Sequence, residues 1–329
     1  MIGEWLFGSG NESTPFDSNT VFRVSAPFND FAGVASWREF VAEPLLGAMG
    51  GAEWSTAMEL RSTPIDGSWQ AASWGTLTGV FMNSWCGLHP SGSEVSVRIG
   101  AVVDLVGDAA IRCTVMIDVL DLAEQAGQDL TRRSLGKTGL WPLPRAIESD
   151  DDGASDESAT TLAVVKQMQS ALHDSARTRD EMIAAAHLAY WHADFVWAGP
   201  GGIGSSTGAE GFVDFHQLSF RTAFPDRVGG GLLESADETN TTGHFVKFAQ
   251  GRWAVTGGWP SVTATHSVDG WLGESASGRR ITLRVFDFYQ VDGGKISMNW
   301  VFIDLLDFLA QIDRLPRQIT HQGILTRGR

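Results

Sequence analysis

Cysteine is scarce in this chain of 329 residues, which contains only Cys86 and Cys113. The two are far apart and fit no zinc-binding spacing, so neither a disulfide framework nor a zinc site is expected. No HxH or HExxH pattern occurs elsewhere, and the sequence therefore predicts no metal. A reducing compartment, the cytoplasm, is the simplest location for such a chain.

Basic residues and long hydrophobic runs are also lacking. The 24 Lys and Arg residues face 39 Asp and Glu residues, giving a formal net charge of −15. This charge disfavours nucleic acid and anionic membrane surfaces as partners, because both are negatively charged. No run approaches the roughly 18 apolar residues of a membrane-spanning helix. The opening MIGEWLFGSG has no basic segment and no signal-peptide pattern.

Tyrosine is rare, with 2 residues, whereas tryptophan is abundant, with 13. Most of these rings belong in the core, but a cavity rich in Trp would suit a flat or apolar ligand. With 43% hydrophobic and 19% charged residues, the composition is that of a globular protein. The length allows two domains, each with its own core.

A proline-containing acidic stretch, PLPRAIESDDDGASDESATT, occupies residues 142–161 and has almost no large apolar side chains. This composition is typical of a solvated linker. We therefore predict one domain over residues 1–145, a linker over 146–160 and a second domain over 161–329.

The two predicted domains resemble each other. Residues 93–125 align without a gap to residues 279–311, with Arg98 opposite Arg284 and IDVLDL opposite IDLLDF. An ordered series of such matches indicates duplication of one domain. In the second copy, helical patterns come first and strand-like runs follow, which is an α+β arrangement with a pocket between sheet and helices.

The second copy also carries the segments AFPDR, ATHSVDGWLG, SGRRITLRVFDFYQVDGGKI and NWVFIDLLDFLAQ. In their order and spacing these resemble the SnoaL-like polyketide cyclases of the NTF2-like superfamily. The resemblance implies two tandem NTF2-like α+β barrels, each a curved antiparallel sheet packed on helices around a cone-shaped pocket, with a divergent N-terminal copy. It implies a cofactor-free aldol cyclisation in which an Asp is the general acid/base and a His assists.

The resemblance places the family's catalytic Asp near Asn299–Val301, where this sequence has no acid. Asp287 and Asp304 are the nearest candidates. Asp287 shares a predicted strand face with apolar residues, so burial should raise its pKa into a useful range; a structural carboxylate is the alternative. Asp304 has an equivalent in the first copy, Asp118, and is also a good helix N-cap.

His266 is the third catalytic candidate. In TATHSV it falls on the apolar face of a predicted strand, so we expect it to meet Asp287 across one pocket, although a satisfied core histidine is the plainer interpretation. Further residues could bind substrate or could simply pack or cap: Trp253, Trp259, Trp271, Trp300, Tyr289, His192 and His216.

The favoured function is a cofactor-independent cyclase, isomerase or lyase acting on a small, largely apolar or aromatic carbonyl compound in the C-terminal domain. Two alternatives stay open, a tandem module that binds a ligand without catalysis and an epoxide-hydrolase-like enzyme. GPGGIG at 199–204 matches the dinucleotide-binding pattern G-x-G-x-x-G, but no βαβ unit surrounds it. We therefore predict no cofactor. The family also suggests an internal pseudo-dimer of the two domains, or a homodimer.

Overall fold

The computed structural model describes residues 2–8, 14–132, 134–144, 155–172, 176–229 and 242–319. Contacts divide the chain into unit 1, Met1–Leu130 with Asp313–Arg329, and unit 2, Thr131–Ile312. Residues 146–154 of the predicted linker lie outside the described part, and the remainder forms the start of a helix. The predicted domain boundaries stay predictions.

Unit 1 contains a six-stranded sheet in the order β2-β1-β6-β5-β4-β3. Strands β1 and β6 are parallel, and the other pairs are antiparallel. Its strands are β1 Val21–Val24, β2 Asn29–Ala32, β3 Met49–Arg61, β4 Ser68–Phe81, β5 Glu94–Val106 and β6 Ala109–Ile117. Its helices are α1 Ile2–Phe7, α2 Val34–Trp37, the π-helical Arg38–Ala42, α3 Glu43–Ala48 and α4 Val119–Gln125.

Unit 2 contains a second sheet, in the order β10-β11-β12-β13-β7-β8, with β9 paired to β11. Its strands are β7 Trp191–Ala198, β8 Ser206–Thr207, β9 Val228–Gly229, β10 Val246–Gln250, β11 Trp253–Thr265, β12 Arg280–Asp292 and β13 Lys295–Ile303. Its helices are α5 Ser155–Ala171, α6 Arg179–Ile183, the 3₁₀ turns Ala186–Tyr190 and Trp271–Gly273, α7 Gly208–Phe212, the π-helical Val213–Gln217, α8 Leu218–Ala223 and α9 Leu305–Gln311.

The two sheets repeat one another in register. Ala101 pairs with Val115 between β5 and β6, and the aligned residue Asp287 pairs with Val301 between β12 and β13. In unit 1 a register shift follows Asp104, and the corresponding shift in unit 2 occurs at the matching position of β12. Each unit also has a π-helical turn between two short α-helices. The predicted α+β class, with two sheet-containing bodies, is thus confirmed.

A buried aspartate caps the N-terminus of the helix that follows the hairpin in each unit, α4 in unit 1 and α9 in unit 2. Asp118 and Asp304 each accept a hydrogen bond at 3.1 Å from the backbone N–H three residues later, so the N-cap interpretation of Asp304 is confirmed. Arg98 lies 2.8 Å from Asp121 in unit 1, and Arg284 lies 3.0 Å from Asp304 in unit 2. In both units, therefore, an arginine of the hairpin forms an ion pair with the first turn of the following helix.

Within the described ranges, no helix combines the length and apolar character that crossing a membrane requires.

Candidate active site

A cavity of about 120 Å³ lies inside unit 2. Strands β11, β12, β13 and β7 form one side of it, and helix α5 with the helical stretch 208–223 forms the other. This volume is close to the ~150 Å³ of an apolar protein cavity that holds benzene. Its lining is mainly apolar, and the polar side chains in it are Gln169, His216, Gln217, His244, Ser261, Asp287, Tyr289 and Asn299.

Asp287 lies in the middle of β12 and is 9% exposed. Leu283, Val285 and Tyr289 share its strand face and also line the cavity, as the alternation of the sequence predicts. Its Oδ1 accepts a long hydrogen bond, 3.3 Å, from Asn299 Nδ2. Burial raises the pKa of the Asp287 carboxyl to about 7, against the opposing effect of the Asn299 hydrogen bond.

Asn299 occupies the strand next to Asp287 and pairs in register with Tyr289. Its Nδ2 also donates to the backbone oxygen of Phe288 at 3.2 Å, which fixes the amide beside the carboxyl. The SnoaL resemblance implies an acid close to this position. At this position the structure has the amide of Asn299 on β13, beside the carboxyl of Asp287 on β12. The titratable group therefore belongs to β12, and the adjacent strand β13 supplies its hydrogen-bond donor.

His216 belongs to the π-helical turn and lines the same cavity. Its ring stacks on Trp197, with centroids 4.1 Å apart and planes 15° apart, and on Phe220 at 5.6 Å. Burial, with a smaller contribution from the Arg221 charge, lowers the pKa of His216 to about 3. The imidazole is therefore neutral at any physiological pH. Neither ring nitrogen has a hydrogen-bond partner among the described residues.

A hydrogen-bond network that sequence reasoning missed lies beside Asp287. Gln169 Nε2, from α5, contacts Thr256 Oγ1 at 2.8 Å and Tyr289 Oη at 3.0 Å. His244 continues the network, with Nδ1 2.9 Å from Thr256 Oγ1 and Nε2 2.7 Å from Ser261 Oγ. The sequence feature that could have indicated this network is the pair Thr256 and Ser261 on β11, because buried hydroxyl groups need polar partners.

The expectation that His266 meets Asp287 across the pocket is wrong in geometry, because His266 is not among the residues that line the cavity. Strand β11 ends at Thr265, and the chain then leaves the sheet. The buried imidazole packs between Phe224 and Phe308, with ring centroids 5.5 and 5.4 Å away, and this burial lowers the pKa of His266. Its Nδ1 lies 3.3 Å from Ser277 Oγ.

Most of the other candidates also lie outside the cavity. Asp304 caps α9 and pairs with Arg284, and His192 Nε2 lies 2.8 Å from the backbone oxygen of Asp292. Trp300 Nε1 donates to the backbone oxygen of Pro142 at 2.7 Å. Of the residues predicted from the sequence, the structure brings Asp287, Tyr289 and His216 together around this cavity.

The remaining tryptophans have structural surroundings. Arg284 lies over the ring of Trp259 at 4.6 Å, and Arg252 lies over Trp253 at 5.3 Å. Trp271 packs against Phe308 with ring centroids 4.7 Å apart and borders a separate hollow of unit 2. In the described part of the chain, no three His, Cys, Asp or Glu side chains gather as a metal site would require.

Residues 248–312 match the model of the SnoaL-like polyketide cyclase family. The predicted resemblance is thereby confirmed for the segment that spans β11 to α9 and carries Asp287 and Asn299. Among curated proteins, the sequence has no match.

Three solved structures illustrate the wider similarity. A protein from Jannaschia sp. CCS1, provisionally named a SnoaL-like polyketide cyclase, is 15% identical, with a TM-score of 0.35 over 50% of this chain and 97% of its own. An NTF2-like protein from Burkholderia xenovorans LB400 is 16% identical, with a TM-score of 0.33 over 47% and 97%. TsrD from Streptomyces laurentii is 20% identical, with a TM-score of 0.34 over 46% and 97%.

Proposed function

We propose that unit 2 is a cofactor-independent enzyme that moves protons on a small carbonyl compound, with Asp287 as the general acid/base. The observation that supports this role is a carboxyl buried in a mainly apolar cavity, with one long hydrogen bond and a pKa raised to about 7. A group with this pKa exists in both protonation states near neutral pH, which is what a general acid/base requires.

The reaction starts at a carbon next to a carbonyl group. The Asp287 carboxylate removes a proton from that carbon, and the electron pair of the C–H bond becomes the enolate. A neutral His216 donates an N–H hydrogen bond to the enolate oxygen, since its low pKa, about 3, keeps it from acting as a cationic acid. The protonated Asp287 then returns its proton to another atom of the enolate. In an aldol closure, the enolate carbon instead attacks a second carbonyl, and Asp287 gives its proton to the alkoxide that forms there.

Tyr289 lines the cavity next to the proposed base, Asp287, and its hydroxyl is hydrogen-bonded to Gln169. Burial, together with the nearby Asp287 charge, raises the pKa of Tyr289, so the phenol stays protonated throughout the reaction. The cavity of about 120 Å³ fits a ligand of about one ring. An isomerase or a cyclase that forms one small ring suits this volume.

The test is a turnover screen with small β-dicarbonyl compounds, comparing the wild type with Asp287→Asn. We expect Asn at this position to lower kcat by about 10²- to 10⁴-fold, the usual contribution of a general acid/base. In the wild type, kcat/KM should rise with pH to a plateau, with a midpoint near 7, because the carboxylate is the active form.

The matched control is Asp104→Asn, which alters a strand carboxylate of unit 1 that is paired with Arg112 at 2.7 Å; it should leave turnover unchanged. Turnover that survives Asp287→Asn would remove the proposed base. Specific ligand binding without any turnover would favour the non-catalytic alternative. The cytoplasmic location and the pairing of domains or copies stay predictions.

A further inference from the structure

The walls of the unit 2 cavity contain polar atoms that the described protein leaves without partners. Gln169 is 1% exposed, and its Oε1 has no hydrogen bond; Trp191 is 4% exposed, and its Nε1 has none. His216 is 8% exposed, and its Nδ1 is also unpartnered. All three residues line the cavity. Buried polar groups in folded proteins are normally satisfied, so a concentration of unsatisfied ones needs an explanation.

The hydrogen-bonding character of these atoms is fixed by their chemistry. The indole N–H of Trp191 can only donate, and the amide oxygen of Gln169 can only accept. A neutral imidazole has one donor and one acceptor nitrogen, whichever tautomer is present. The cavity therefore needs both an acceptor and a donor from whatever fills it.

Because aromatic rings stack against the His216 imidazole, a ligand can contact only the edge of this ring. Trp197 and Phe220 lie against the ring at 4.1 and 5.6 Å with near-parallel planes, so a ligand reaches the nitrogens and not the ring faces. His216 belongs to the π-helical turn at Val213–Gln217 and lines the cavity. Such turns are rare and occur frequently at functional sites.

We infer that the ligand of this cavity is a hydroxy-carbonyl compound of about one ring, whose carbonyl oxygen and hydroxyl group are both read by His216, Gln169 and Trp191. This inference rests on the proposed function in locating the substrate at the Asp287 cavity. A simple ketone or an epoxide brings acceptors only, so neither the Gln169 oxygen nor the imidazole acceptor receives a hydrogen bond, whereas the hydroxyl of a hydroxy-ketone donates to one of them. The geometry thus separates a hydroxy-ketone or enol substrate from an epoxide.

Binding, measured by calorimetry on the Asp287→Asn protein, tests the inference apart from turnover. The probes are 2-hydroxycyclohexanone, cyclohexanone and cyclohexene oxide, which share one ring size and differ in polar groups. We expect the hydroxy-ketone to bind about 10-fold more tightly than either acceptor-only probe, because an unpaired buried group weakens binding by about that factor.

His216→Phe keeps an aromatic ring in the stack and removes both nitrogens, and Gln169→Leu removes the amide oxygen. The double variant leaves no acceptor for the ligand hydroxyl among the three residues, so it should reduce the preference to within about 2-fold. Trp191→Phe should weaken all three probes to a similar extent, since each one carries an acceptor. The matched control is His89→Phe, which alters an exposed imidazole of unit 1 and should preserve the preference. Circular dichroism and the thermal midpoint of each variant establish that it folds.

Three results would each overturn the inference: equal affinity for the three probes, a preference that persists in the double variant Gln169→Leu/His216→Phe, or no saturable binding of any probe. The proposed function fails on a different result, which is turnover independent of Asp287. If the protein prefers the hydroxy-ketone but catalyses no reaction, the inferred ligand class is supported and the proposed enzymatic activity is contradicted.

Discussion

The hairpins β5–β6 and β12–β13 have the same register and the same terminal ion cluster, yet they differ at the positions that face the unit 2 cavity. Polar groups of unit 2 stand where unit 1 has apolar or weakly polar ones. In aligned order, unit 2 first, the pairs are Asp287 and Ala101, Tyr289 and Val103, Asn299 and Cys113, and, at the fourth residue of each π-helical turn, His216 and Val41.

This difference separates residues that maintain the fold from the residues to which we assign the proposed chemistry. The Arg–Asp–Asp cluster and the N-cap occur in both units, so they belong to the architecture. A buried carboxylate that is barely hydrogen-bonded destabilises a fold, and only unit 2 has one at this position. A destabilising group in one copy alone is the expected mark of a functional site.

The largest expected effect concerns the shared cluster. Replacing Arg98 with Met leaves the buried Asp118 and Asp121 without their cation, and replacing Arg284 with Met does the same to the buried Asp304 and the half-buried Asp307. Each variant should lower the free energy of unfolding of its own unit by about 3–5 kcal/mol. Hydrogen exchange of the strand amides of β5 and β12 measures this for each unit separately.

The control for the cluster is Arg112→Met. Arg112 is paired with Asp104 at the surface, its side chain is 40% exposed, and its replacement should change stability by less than about 1 kcal/mol. If one cluster variant were as mild as this control, the equivalence of the two units would be contradicted.

The second prediction introduces the unit 2 residue into unit 1. Ala101 is 2% exposed in β5. Ala101→Asp creates a buried carboxyl there, and the position aligned with Asn299 holds Cys113 and no amide. We expect a loss of about 4 kcal/mol at pH 8, as for a carboxyl whose pKa is raised by about three units. Ala109→Asp, at an exposed position of β6, should change stability by under about 0.5 kcal/mol. An equally mild Ala101→Asp would mean that unit 1 also accommodates an acid there.

The third prediction concerns stability as a function of pH. The pKa of Asp287 is about 7 in the folded state against 3.8 for a free aspartate, so between these values the folded protein holds the extra proton and stability falls as pH rises. Asp287→Asn removes this dependence. From pH 5 to pH 8, unit 2 of the wild type should therefore lose about 3 kcal/mol more than the variant does. An identical decline in both proteins would contradict the raised pKa.

The sequence predicted the parts of this site that depend on local alternation. Asp287 and Tyr289 sit on one face of an uninterrupted strand, so their orientation followed from a period of two. The duplication was visible because the matching segments contain no insertion. The N-cap at Asp304 followed from residue type and from its equivalent, Asp118.

The sequence could not place residues whose position depends on where a strand ends or on contacts distant in the chain. His266 continued the apolar alternation, but β11 stops one residue earlier, and the imidazole packs among Phe224 and Phe308. Gln169 reaches the site from α5, 87 residues away in sequence from Thr256. No local pattern specifies such a contact, since it arises from packing a helix on the sheet.

The most direct test of the account is the titration of the Asp287 carboxyl itself. Carbon-13 NMR of protein labelled at the Asp side-chain carboxyl, compared with the Asp287→Asn variant, identifies its signal by difference. We predict a midpoint near pH 7, as burial in the cavity requires. A midpoint near pH 4 would show a solvated or strongly paired carboxylate and would contradict the role assigned to unit 2.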